Sequence, residues 1–158
     1  MLTSRRDYIL RIIDEVGRLL ARLVLQRRKG QPEDALQSLA DAFARLFGRE
    51  FHEVFQFTPE QHYLMLAQDE PCEIARDKRL LYAALSAEAG RIYADLGRTA
   101  FARASRLNAL RFTLRAQKDC PGGDLPAFAP DPTGLVAELG AANLDPETTE
   151  LLRTTGNN

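Results

Sequence analysis

The sequence predicts an all-α fold, in which antiparallel helical hairpins stack on each other and are closed by short C-terminal helices. Apolar residues recur at the spacing of amphipathic helices, Gly and Pro separate these stretches, and there is almost no signal for strands. The spacing Gly-x4-Ala-x6-Ala also occurs twice, at Gly30, Ala35 and Ala42 and again at Gly97, Ala102 and Ala109. The glycine permits a tight turn, and the small residues let the second helix of each pair pack closely on the first.

The first hairpin is predicted from its caps and its apolar stripe. Ser4 is expected to cap a long helix that ends at Gly30. Pro32 stands at the first position of the next helix, and Gly48 is its expected C-terminal cap. The stripe of the first helix consists of Ile9, Ile12, Ile13, Val16, Leu19, Leu20 and Leu23.

An aromatic insert follows, and we expect its side chains to plug the core from a short helical turn. They are Phe51, Val54, Phe55 and Phe57. Thr58 then reads as the N-cap of a short helix, with Gln61 able to complete a capping box.

The second hairpin and the C-terminal segment complete one predicted domain. A long helix follows Pro71, and its partner runs from Thr99 to about Lys118. Two short helices are expected near 133–140 and 146–153, docked through leucines. The predicted parts are a first hairpin (1–48), an aromatic insert with a short helix (49–70), a second hairpin (71–118), a Pro/Gly-rich loop (119–133) and an acidic C-terminal segment (134–158).

Composition and charge exclude several classes of protein. The 158 residues are 45% hydrophobic and 27% charged with a net charge of -1, which is ordinary for a soluble globular domain and argues against a disordered chain. The basic start is interrupted by Asp7 and Asp14, so neither a secretion signal nor a membrane span is expected, and the predicted location is the cytoplasm. Cys72 and Cys120 both lie at the open end of the second hairpin, but its helices differ by about four residues, or roughly 6 Å in length. We therefore expect two reduced thiols, with a redox pair as the alternative, because the cytosol disfavours disulfides.

The second hairpin resembles the tetratricopeptide repeat. The residues that carry the likeness are Gly90, Tyr93, Leu96, Gly97, Ala102 and Ala109. The first hairpin matches less well, because Leu23 and Gln26 stand where the glycine and tyrosine of the repeat would fall. The N-terminal helix and its hairpin are also similar to an uncharacterised bacterial family of tetratricopeptide-like architecture, which carries no known activity.

The resemblance implies a right-handed array of hairpins that binds a protein or peptide on its concave side. The matching groove positions are Ala84, Ala87, Glu88, Arg91 and Asp95. These positions lack the lysines and asparagines of the carboxylate-clamp version of the repeat. An incomplete array also leaves apolar surface uncovered, so we expect a homodimer, with a monomer covered by the aromatic insert as the rival.

No catalytic, metal or cofactor motif is visible, so the sequence predicts a non-enzymatic interaction or structural module without a cofactor. His52-Glu53 opens like a zinc-protease motif, but Gln56 stands where the second histidine ligand is needed. His62 is expected on a helix surface. A small-molecule site lined by the phenylalanines at 51–57 remains a further alternative.

The basic helix supports another alternative, a nucleic-acid or anionic-ligand binder. Its candidate contacts are Arg103, Arg106, Arg111, Arg115 and Lys118. Residues 98–118 hold six basic and no acidic residues, whereas 119–158 hold one basic and seven acidic residues. We therefore expect these cations to pair internally with the C-terminal acids Glu138, Asp145, Glu147 and Glu150, and nucleic acid not to be the partner.

Overall fold

The computed structural model describes residues 2–155 and is all-helical, with no strand among those residues. The helices are α1 (Leu2–Arg28), α2 (Pro32–Phe47), α3 (Phe51–Val54), α4 (Pro59–Met65), α5 (Cys72–Asp95), α6 (Thr99–Asp119), α7 (Pro132–Leu139) and α8 (Pro146–Thr155), with a 3-10 turn at Ala141–Asn143. Helices α1 and α2 pack as one hairpin and α5 and α6 as another, and α5 also contacts α1 and α2. The all-α prediction is confirmed.

Local signals set the limits of the first hairpin. Gly30 has φ 75° in the turn, and Gly48 caps α2 with φ 63°, a left-handed conformation that favours glycine. Pro32 occupies the start of α2 as predicted. The expected cap at Ser4 is wrong, because α1 already begins at Leu2.

Close approach of α5 and α6 explains the glycine of the second hairpin. A Cβ on Gly90 would lie 2.6 Å from Cγ of Arg106 and 3.2 Å from the carbonyl oxygen of Ala102. Ala102 and Ala109 are fully packed in the same contact, and Gly97 turns the chain with φ 74°. The predicted role of the small residues is therefore confirmed at this hairpin.

The apolar interior forms two clusters. The larger joins the first hairpin to α4 and α5, and its side chains include Val16, Leu39, Tyr63, Leu85 and Ile92. The smaller holds the C-terminal segment on the second hairpin, where Leu135 and Leu139 pack against residues of α5 and α6. Partly buried Val136, Leu144, Leu151 and Leu152 extend it. Apolar docking of this segment is thus confirmed.

Only some of the side chains in the aromatic insert that were predicted to fill the core are buried. Val54 is fully buried, whereas Phe51 and Phe55 are 44% and 51% exposed. The expectation that the phenylalanines plug the core is therefore wrong for these two rings, which lie at the surface. Thr58 and Gln61 form the predicted capping box at the start of α4.

A disulfide joins Cys72 and Cys120 at the open end of the second hairpin, and it corrects the expectation of two reduced thiols. Their Cα atoms are 5.7 Å apart, within the range a disulfide spans. The difference in length between the two helices of this hairpin predicts a larger distance between the two cysteines. Cys120, however, leaves helical geometry with φ -138° and ψ 78°, so the chain turns back toward the start of α5.

None of the helices formed by residues 2–155 is both long enough and apolar enough to cross a membrane.

Candidate interaction surfaces

The groove that the repeat resemblance assigns to a partner is largely closed. Ala84, Ala87 and Glu88 are buried, Arg91 is partly covered and Asp95 alone is exposed. Two parts of the chain lie over these positions, α1 and the segment that runs from the loop at Phe128 into α7. Only a cleft of about 200 Å³ remains between them. Four of the five positions line this cleft and Asp95 does not. The sequence left open whether the groove is open or filled, and in the structure α1 and the segment leading into α7 fill most of it.

An ion-pair network fills the polar part of that closed groove. The buried carboxylate of Glu88 accepts a hydrogen bond from Nε of Arg27 at 2.8 Å and another from Arg91. Arg91 also donates to Glu138 of α7 at 2.7 Å. Since a buried charge is tolerated only when it is paired, this network ties α1, α5 and α7 together and serves packing.

The basic helix α6 is partly neutralised within the chain. Arg106 lies 3.7 Å from Glu138, Arg111 pairs with Asp145, and Arg115 donates to Glu60 of α4 at 2.5 Å. Arg103 and Lys118 are exposed and belong to no ion pair among the described residues. Internal pairing is thus found for three cations, two of them with the C-terminal acids. Glu147 and Glu150 do not take part in these pairs.

Tyr63 and two arginines form a second polar cluster that the sequence did not indicate. The guanidinium groups of Arg79 and Arg115 both lie over the Tyr63 ring, 3.5 and 3.9 Å from its centroid. Its hydroxyl donates to Asp119 at 2.5 Å, and burial together with this hydrogen bond raises the pKa of Tyr63. The cluster joins α4 to the end of α6, next to the disulfide.

His62 is a core residue, and its predicted place on a helix surface is wrong. The ring is 2% exposed and packs against Phe47, Phe55 and Tyr82. Its Nε2 donates to the Val54 carbonyl at 2.6 Å, because a carbonyl oxygen can only accept. Nδ1 is then the acceptor for the Tyr82 hydroxyl at 3.0 Å. Burial lowers the pKa of His62, with the hydrogen bond to Val54 opposing part of that shift.

His52 belongs to a different environment. Glu50, His52 and Glu53 each place one ligand atom within 4.8 Å of the others at the surface of α3. Glu50 and His52 are exposed, and their Oε2 and Nδ1 atoms are 3.5 Å apart. This is an exposed polar cluster to which we assign no metal.

One partly exposed apolar surface, here called the edge face, lies on the outer side of α2. It consists of Leu36, Ala40, Ala44, Phe51 and Tyr93. The first three follow one another at intervals of four residues, so they form a stripe along one side of the helix. An open cleft of about 530 Å³ lies over this stripe.

Aromatic rings bound the edge face. Phe51 of α3 packs on Phe55 with a centroid distance of 4.8 Å. Tyr93 of α5 packs on Phe101 at 5.5 Å, and Phe101 is 61% exposed. This surface is not indicated by the sequence, in which the phenylalanines of the insert have the pattern of core residues. The signal that could have found it is the second stripe of α2, at positions 36, 40 and 44.

Comparison of the chain with known protein families, with curated proteins and with solved structures finds no match. The resemblance to the tetratricopeptide repeat, including the right-handed arrangement of its hairpins, therefore stays a prediction from the sequence.

Proposed function

We propose that the chain is a non-enzymatic protein-interaction module, and that its edge face binds an α-helix of a partner protein. The observation that carries this proposal is the apolar stripe of α2, which is only partly covered by the described residues and lies beside the exposed ring of Phe51. Contiguous apolar surface of this kind marks interaction sites more often than scattered exposed side chains do. The proposed partner site thus lies away from the groove that the repeat resemblance implied.

The shape of the edge face favours a helix as the bound element. Leu36 and Ala44 are eight residues apart, so the stripe is about 12 Å long at 1.5 Å per residue. Two of its three side chains are alanines, which allow a second helix to approach to the usual 8–10 Å between axes. Phe51 and Tyr93 supply larger apolar side chains beside this shallow floor. A partner helix would contact it through about two turns.

The alternative function, binding of nucleic acid through α6, has weaker support. Three of the five candidate cations are engaged in ion pairs with carboxylates of the same chain. Binding to a duplex would require a positive surface free to replace counterions. A duplex of about 20 base pairs that bound at about 0.15 M salt would restore this alternative.

The proposal is tested with synthetic amphipathic peptides that are helical and share one apolar stripe. The expected result is binding to the wild-type protein and loss of that binding in Ala40→Gln, which places a larger polar side chain on the stripe. The matched control is Ala137→Gln, on the exposed side of α7 and outside the cleft. Circular dichroism checks that both variants fold. Equal binding by the two variants would contradict the proposed site.

A further inference from the structure

We infer that the edge face selects a basic partner, an amphipathic helix whose apolar stripe is flanked by lysines or arginines. This inference rests on the proposed function and names the chemistry of the partner at the same face.

The charged groups around the cleft are all acidic. Glu33, Asp41 and Glu50 line it together with Gln37, and no lysine or arginine is among the described residues that do so. All three carboxylates are on exposed residues. The apolar stripe of α2 thus lies beside three negative charges that face solvent.

These carboxylates are also left without cationic partners of their own. Glu33 and Asp41 are in no ion pair among residues 2–155, and Asp41 accepts only a 3.3 Å hydrogen bond from Gln37. Among the basic side chains that the structure describes, only the imidazole of His52 lies within 4 Å of the Glu50 carboxylate. Glu15 and Glu60, by contrast, are each paired closely with an arginine. The edge face therefore keeps a net negative charge that a partner can neutralise.

The expected difference in affinity between a basic and an acidic partner helix depends on the solvent exposure of the three carboxylates. An exposed ion pair contributes little to affinity, about 0–1 kcal/mol, so three of them add a modest gain for a basic helix. An acidic helix meets repulsion at the same three positions. The difference between the two partners is therefore larger than the gain alone, and we expect at least about tenfold between their dissociation constants at low salt.

The experiment compares three peptides of about 18 residues, or five helical turns, with one apolar stripe and flanks of Lys, Gln or Glu. Fluorescence anisotropy measures their binding at about 0.05 M and about 0.5 M salt. The expected order of affinity is Lys, then Gln, then Glu, with the Lys peptide losing its advantage at high salt. The triple variant Glu33→Gln, Asp41→Asn, Glu50→Gln keeps the apolar stripe and should bind all three peptides alike.

The outcomes separate this inference from the proposed function. Equal binding of the three peptides to the wild-type protein, with loss in Ala40→Gln, overturns the basic preference and leaves the helix-binding face in place. Binding of none of them overturns both. A preference for Lys that survives in the triple variant overturns the inference, because the selecting charges then lie elsewhere. Binding that disappears as the protein self-associates shows a second copy on the edge face and also overturns it.

Discussion

Reduction of the Cys72–Cys120 disulfide should lower the free energy of unfolding by a large and calculable amount. The bond closes a segment with a sequence separation of 48 residues. In the chain-entropy treatment, closing a loop of that length removes about 13–14 cal/mol/K from the unfolded chain, or about 4 kcal/mol at 25 °C. Native disulfides commonly contribute about 2–4 kcal/mol, so we expect a loss at the upper part of that range.

Urea unfolding, followed by circular dichroism with and without a phosphine reductant, measures this loss. The variant Cys72→Ser, Cys120→Ser is the comparison and should unfold close to the reduced wild-type protein, with no response to the reductant. Cys72 is exposed, so the reductant reaches the bond without unfolding. Free-thiol titration confirms the redox state of each sample. Equal unfolding midpoints for the oxidised and reduced proteins would refute the proposed contribution of the disulfide.

Three further predictions concern the C-terminal segment, the buried histidine and the oligomeric state. Truncation after Ala127 removes Leu135 and Leu139 from the smaller apolar cluster and should lower the melting temperature at low and high salt alike. If the melting temperature fell only at low salt, ion pairs and not apolar contacts would hold the segment in place. Because burial lowers the pKa of His62, the unfolded chain binds its proton more readily, so urea stability should fall as the pH drops below about 6.5, by at most about 1.4 kcal/mol per pH unit. His62→Gln should flatten that dependence, and an unchanged pH dependence in this variant would contradict the assignment. The predicted homodimer is checked by light scattering at low micromolar concentration, where a persistent monomer mass would contradict it.

The parts of the fold that the sequence could predict are those that depend on local chemistry. Gly30, Gly48 and Gly97 take the left-handed conformations that their positions suggested, and Thr58 caps α4 through its own side chain. Such signals act over a few residues, so one sequence is enough to read them.

The features that the sequence could not predict depend on contacts between residues far apart in the chain. His62 lies inward because Val54 and Tyr82, eight and twenty residues away, supply partners for its two nitrogens. The helical spacing of four between His62 and Leu66 is the signal that could have placed both on a buried face. Closure of the predicted groove needs Glu138 to reach Arg91 across 47 residues, and no local pattern reports that contact.

The most direct test of the interaction proposal locates a bound helix on the protein. Backbone NMR spectra of the wild-type protein, recorded during titration with the Lys-flanked peptide, should change at residues of α2, at α3 and around Tyr93. Amides at the C-terminal end of α6, near Lys118, should stay unchanged. Shifts centred on α6, or spread over the whole chain without a focus on α2, would contradict the account.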